Sequence, residues 1–181
     1  MIILIGKLFE WLFTVITRFR NKYKVSLFAS CGENVRIEGQ CEMTLKNIYC
    51  GYNVYIGPNA CFLSSDAKIH IGNNVMFGPN VMIATGNHRI DMIGKVMKDV
   101  HEKLPENDED VIIEDDCWIG MGVIILKGVT IGKGSVIGAG TVVTKNIPPY
   151  SVVYSSSALT IRERFSKEDI SLHEKILSGK E

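Results

Sequence analysis

The chain has no net charge. Its 181 residues carry 20 basic and 20 acidic side chains, a balance that argues against wholesale binding along a nucleic-acid backbone and leaves room only for local basic patches. It has no C-x-x-C pair: five cysteines stand singly at 31, 41, 50, 61 and 117. An odd and dispersed set argues against a disulfide framework. The places of Cys31, Cys50 and Cys117 in the pattern described below predict buried free thiols in a reducing compartment. Nor is a cleavable leader expected. Residues 1–17 are apolar, but Lys7 and Glu10 interrupt them and no small-residue cleavage site follows. That run also falls short of the ~20 apolar residues a spanning helix needs. These exclusions leave a single domain with a sizeable core, expected in the cytoplasm.

What the chain does have is a period of six. From 113 to 148 every sixth residue is aliphatic: Ile113, Ile119, Ile125, Ile131, Ile137 and Val143. The next position is often Gly and the fifth of each six is usually small. Six fits neither the 3.6 of an α-helix nor the 2 of a lone strand. It is the signature of a parallel β-helix, in which each six-residue unit is one short strand plus a corner. Carried backwards, the frame picks out Cys31, Ile37, Met43, Cys50, Ile56, Phe62, Ile71, Phe77 and Ile83, so that all fifteen first positions are apolar. Three units close one triangular coil, and the coils read 31–48, 50–67, 71–88, 113–130 and 131–148. The interruptions (Tyr49, 68–70 and the long excursion 89–112) all fall between complete coils, as corner loops of a solenoid do. The excursion is rich in charge, and a loop of that length without a pattern of its own is more often functional than incidental.

The ends read differently. Residues 2–19 predict an amphipathic helix, with Ile2, Ile5, Phe9, Leu12, Phe13 and Ile16 at helical spacing, followed by Arg18, Arg20, Lys22 and Lys24. Either the helix caps the open end of the solenoid, or residues 1–24 also touch an anionic membrane surface. Residues 1–30 therefore form a helix and cap, 31–148 the solenoid, and 149–181 a short strand at 152–154 and a final helix. Ser166 is the expected N-cap of that helix, with Glu168 and Asp169 in its first turn. One column inside the coils is polar where small apolar residues are expected: Asn47, Asp66 and Asn87. It forms either a self-satisfying ladder or a polar wall leading to His88.

The repeat, the W-I-G of residues 118–120 and the run I-L-K-G-V-T-I-G-K-G-S-V-I-G-A-G-T-V-V-T-K-N-I-P-P-Y resemble the hexapeptide-repeat acyltransferases. The likeness is nearest to their sugar and xenobiotic O-acetyltransferases and covers residues 31–166. The resemblance implies an all-β solenoid, a left-handed parallel β-helix of about five triangular coils with an N-terminal and a C-terminal α-helix. It also implies a homotrimer with sites at the subunit interfaces, and acetyl-CoA as co-substrate with no metal. His88 falls at the family's catalytic His, a general base that takes the acceptor hydroxyl's proton as that oxygen attacks the thioester; imidazole suits this role at neutral pH.

By the same resemblance Asp66 holds acceptor hydroxyls, and Asn87 and Asp91 are further acceptor-side candidates. Where maltose- and galactoside-type relatives place an acceptor-binding Asn, this chain has Gly57. Trp118, Gly120, Met121, Ala139, Thr144, Lys145 and Arg162 fall at coenzyme A positions. The amides of residues 120–121 would serve the pantetheine arm and the developing oxyanion, and Lys145 the phosphates. After the last coil the relatives' Gly-Asn-Pro turn is replaced by three serines at 155–157 and their Lys by Leu159, a departure at the nucleotide end of the cofactor site.

The implied function is transfer of acetyl from acetyl-CoA to a sugar hydroxyl, of a surface polysaccharide or its precursor. A drug hydroxyl, an amine acceptor, a Cys nucleophile at Cys61 or Cys117, and a non-catalytic scaffold stand as alternatives. A zinc enzyme of the carbonic-anhydrase kind on the same scaffold needs three histidines, two of them closely spaced, and His88 and His101 are not such a pair.

Overall fold

The computed structural model describes residues 2–154 and 166–177. A period of six has one consequence for a backbone: each strand must lie directly over the one a coil earlier. Three parallel sheets result. Sheet A stacks Ser30–Cys31, Ile48–Cys50, Ile69–Ile71, Val111–Ile113 and Thr130–Ile131. Sheet B stacks Val35–Ile37, Val54–Ile56, Met76–Phe77, Trp118–Ile119, Val136–Ile137 and Val152–Val153, and sheet C stacks Glu42–Met43, Cys61–Leu63, Met82–Ala84, Ile124–Leu126 and Val142–Val143. The chain visits A, B and C in turn, which is the left-handed parallel β-helix implied by the resemblance.

The register is the one the frame requires. Cys31, Cys50, Ile71, Ile113 and Ile131 pair in series in sheet A. Ile37, Ile56, Phe77, Ile119 and Ile137 do so in sheet B, and Met43, Phe62, Ile83, Ile125 and Val143 in sheet C. Apart from Cys31, their side chains form one continuous core, with Met43 partly buried against it and Phe62 and Phe77 in ring contact at 5.3 Å. Each buried aliphatic contributes ~1.5–3 kcal/mol relative to an exposed one. Two details depart from the frame. A partial sixth coil follows, with Ile147 bridged to Ile131 and Val153 paired with Ile137. Cys31, at the open end, is exposed, because no coil lies beyond it; Cys50 and Cys117 are buried as expected.

The corner between sheets A and B supplies a feature the sequence reading placed elsewhere. Asn34, Asn53 and Asn74 stand there at φ 57°, 56° and 57°. Asn34 Nδ2 donates to Asn53 Oδ1 at 2.6 Å, and Asn53 Nδ2 to Asn74 Oδ1 at 2.8 Å. Asn tolerates this left-handed backbone and links it to the next coil. Of the two readings of Asn47, Asp66 and Asn87, the self-satisfying ladder does not form. Asn47 donates instead to the carbonyls of Ser65 and Ala67 at 2.9 and 3.3 Å, and Asn87 bonds to the excursion. Replacing Asn53 by Ala should cost about 2 kcal/mol in urea unfolding, because it removes both ladder bonds and puts a Cβ-bearing residue with no local bond at positive φ. Asn53→Gly, which relieves the backbone, should cost less.

Helix α1 (Ile2–Val25) runs beyond the expected residue 19 and packs on the edge strand Val35–Ile37. It covers that edge with polar side chains. Asn21 Nδ2 donates to the Ile37 and Gly39 carbonyls at 3.1 and 2.9 Å, Arg20 to Gly39, and Lys24 to Cys41 O. Carbonyls that would lack a ladder partner at the end of the solenoid are satisfied in this way. Helix α2 (Lys167–Leu177) begins at Ser166, whose Oγ accepts from the Asp169 N–H at 3.1 Å, as the N-cap reading expects.

Candidate active site

His88 stands exposed where the chain leaves the third coil at the C–A corner to enter the excursion. Its neighbour Asn87 is tied on both sides. The Asn87 N–H donates to Asn107 O at 2.9 Å, and its Oδ1 accepts from Asn107 Nδ2 at 2.9 Å. Asn107 is buried, and its own Oδ1 takes the Leu104 N–H at 2.8 Å. The excursion is therefore fastened to the residue preceding the proposed base. Asn87, expected on the acceptor side, has its side-chain oxygen engaged in that fastening.

The second half of the excursion folds back onto the second coil. Gly86 bridges Asp108 in antiparallel fashion, and a Cβ on Gly86 would come 2.0 Å from Asp108 Oδ1, so a side chain there would push the carboxylate out of its place. Asp108 accepts from Ser65 Oγ at 2.8 Å and pairs with Lys103 at 2.6 Å; Lys103 also reaches Ser65 Oγ at 2.8 Å. Enclosure raises the Asp108 carboxyl, but the hydrogen bonds from Lys103 and Ser65 outweigh it and hold the group below the usual carboxylate range. Asp110 caps the Lys68 N–H at 2.7 Å and lies 3.3 Å from His70 Nε2, whose ring stacks on Tyr49.

The exposed Asp66 lines a groove of about 450 Å³ with Lys103, Leu104, Pro105, Asp108 and Asp110. The sequence reading missed Lys103, Ser65, Asn107 and Asp108; the charge density of the excursion was a signal for Lys103 and Asp108, and Ser65 and Asn107 carried none. Asp91 lies apart from this groove lining. Its carboxylate takes two bonds from Arg89, at 2.7 and 3.2 Å, and the Arg89 hydrogen bond holds it below the usual range.

The cofactor candidates fall at both ends of sheet C. Gly120, Met121 and Ala139 precede it at the B–C corner, while Thr144 and Lys145 follow it at the C–A corner, both exposed. Thr144 shares a groove of about 310 Å³ with Ala84, Gly86, Asn87, Glu109, Leu126 and Lys127. Trp118 points outward from sheet B, half exposed, between Met76 and Val136. Gly120 is needed for close stacking, since a Cβ there would lie 2.7 Å from Ala139 N. Its N–H is already used by Ile137 O at 2.8 Å. The N–H groups of Met121 and Ala139, one coil apart, donate to no backbone carbonyl among the described residues. The available amides are thus those of 121 and 139, about 4.8 Å apart along the solenoid, rather than the 120–121 pair expected. From Ala139 to Thr144 is about five residues of near-extended chain, ~16 Å at most, with the face of sheet C between. Arg162 and the 155–157 serines lie outside the described residues.

Burial pushes the thiols of Cys61 and Cys117 up, the wrong direction for a nucleophile. Among the described residues no group of three His, Cys, Asp or Glu side chains comes together to hold a metal.

The family model described as bacterial transferase hexapeptide (six repeats) matches residues 110–145. The solved hexapeptide-repeat-containing acetyltransferase of Vibrio cholerae is 30% identical, with a TM-score of 0.68 over 83% of this chain and 82% of that one; the same protein is also solved with acetyl coenzyme A. A maltose O-acetyltransferase from Clostridium difficile 630 is 34% identical, with a TM-score of 0.65 over 83% and 88%. The chloramphenicol acetyltransferase of Agrobacterium fabrum is 36% identical over 63 residues, which are 35% of this chain and 30% of that protein. The chain thus spans under a third of the length of that curated relative. Two solved relatives at 30% identity or more are matched over four-fifths of their length; the chain belongs to the hexapeptide-repeat acetyltransferases.

Proposed function

We propose that the chain transfers the acetyl group of acetyl coenzyme A directly to a sugar hydroxyl, with His88 as general base. The acceptor oxygen bonds to the thioester carbonyl carbon while His88 takes its proton. The carbon–sulfur bond then breaks, and the proton passes to the leaving thiolate. The N–H groups of Met121 and Ala139 hold the pantetheine arm, and an amide of this corner meets the negative charge developing on the carbonyl oxygen. Lys145, and Arg162 beyond it, serve the phosphates. Asp66, in its groove with Lys103 and Asp108, is the acceptor-side carboxylate.

The single observation that carries this reading is the exposed His88 at the mouth of an anchored excursion, in a chain of this family. Bound acetyl coenzyme A in the Vibrio cholerae relative supports the co-substrate. The amides at the B–C corner and His88 at the C–A corner lie at opposite ends of sheet C, so the site is completed by two copies. The outward face of sheet C, with Leu63, Met82, Leu126 and Val142 exposed, suits burial between copies in a closed homotrimer. A surface polysaccharide or its precursor is the acceptor class, and the cytoplasm the compartment, where exposed Cys31 persists as a free thiol. A drug hydroxyl is the second reading, favoured by the short chloramphenicol acetyltransferase match.

The test is thiol release from acetyl-CoA with a panel of mono- and oligosaccharides and chloramphenicol, with product mass measured. A mass gain of one acetyl on a sugar is expected. Acetylation of chloramphenicol alone would select the second reading, and no coenzyme A binding at all would remove both.

A further inference from the structure

Helix α1 is turned the opposite way from a core helix. At about 100° per residue, Leu4, Leu8, Phe9, Trp11, Leu12 and Ile16 fall within one apolar arc about 160° wide. The two residues buried against the solenoid, Thr17 and Asn21, fall near the middle of the opposite, polar arc. The edge strand is satisfied by Asn21, Arg20 and Lys24, so packing on the protein uses the polar side. The apolar side faces away: Phe9 is 69% exposed, Trp11 61%, Ile16 63% and Phe19 71%. An arc of that width is broader than the narrow seam of a two-helix coil.

We propose that α1 docks the protein onto an anionic membrane surface, lying in the interface rather than crossing it. Charge selects this occupant. Residues 1–32 hold five cations (Lys7, Arg18, Arg20, Lys22 and Lys24) and one acid, Glu10, which falls on the protein side of the helix. Arg18 and Lys22 border the apolar arc on one side, and Arg20 and Lys24 on the other. An apolar arc carrying Trp11 and Tyr23 and edged by cations matches the boundary between acyl chains and anionic headgroups. A second copy of α1 would bring the same cations against each other and offers only Glu10, on the protein side of the helix, to meet them. No described helix is long and apolar enough to span a membrane, which agrees with docking in the plane. The docking does not depend on the transfer chemistry, and none of its readouts is activity.

The experiment uses the full chain, sedimented with phosphatidylcholine vesicles made with and without phosphatidylglycerol, at low and raised salt. Wild type should partition at least ~10-fold more strongly onto the anionic vesicles and lose that gain as salt rises. Leu8→Glu/Leu12→Glu should stay in the supernatant with unchanged far-ultraviolet circular dichroism. Arg18→Gln and Lys22→Gln should each weaken anionic binding about fivefold. Absence of binding, or equal binding to both vesicle types, overturns the proposal. So does a fall in particle mass of Leu8→Glu/Leu12→Glu in sedimentation without vesicles, which would make α1 a contact between copies.

Discussion

His88→Ala should lower kcat by ~10²–10⁴-fold while leaving coenzyme A affinity unchanged. A positioned base contributes that factor by accepting the acceptor's proton as the new carbon–oxygen bond forms. The proposed pantetheine contacts are the backbone N–H groups of Met121 and Ala139, which this substitution leaves in place, so binding and chemistry should separate. His88 is exposed and its removal leaves no cavity; the fold should therefore be untouched and the loss should read as chemistry. Calorimetric titration with coenzyme A alongside steady-state rates makes the comparison. A variant keeping more than about a tenth of the wild-type kcat would remove His88 from the reaction. Lost coenzyme A binding would move it to the cofactor side instead.

Phe77→Ala should cost about 3–5 kcal/mol, a large share of the ~5–15 kcal/mol that holds a domain together. Phe77 is fully buried in the third coil, in ring contact with Phe62, and paired in register with Ile56 below and Ile119 above. In a solenoid each coil is held by its two neighbours, so a void here weakens the coupling on both sides. Urea unfolding should show the loss, and Phe77→Leu, which keeps most of the volume, should cost under ~1.5 kcal/mol. A cost below about 1 kcal/mol for the alanine would mean that neighbouring coils collapse into the space.

The solenoid was legible because its repeat ties covalent spacing to backbone stacking. Ile113 must lie over Ile71, however long the excursion between them, since both end sheet A strands at the same place in the frame. The positive-φ corner was readable as well. Gly-x-Asn recurs at 32–34, 51–53 and 72–74, and the hydrogen-bonded Asn column sits there, rather than at Asn47, Asp66 and Asn87. His88 could be placed on the C–A corner from the frame alone. Its fastening through Asn87 and Asn107 could not, because the partner lies twenty residues away across a loop with no period.

From the sequence alone came the fold, the register, the five full coils and the corner that carries His88, all consequences of one period imposed on short strands that can pair only with the coil above and the coil below. Helix α1 was legible as an amphipathic helix, but not which side it would turn to the solenoid. That was decided by the unpaired carbonyls of the edge at Ile37, Gly39 and Cys41, which draw Asn21, Arg20 and Lys24 inward and leave the apolar arc outside. Tertiary structure likewise decided that Gly120 gives its N–H to the next coil while Met121 and Ala139 keep theirs. It also set Lys103, Ser65 and Asp108 together beside Asp66. Each of these outcomes rests on hydrogen bonds between groups distant in sequence, settled by which donors and acceptors the stacked backbone leaves without a partner.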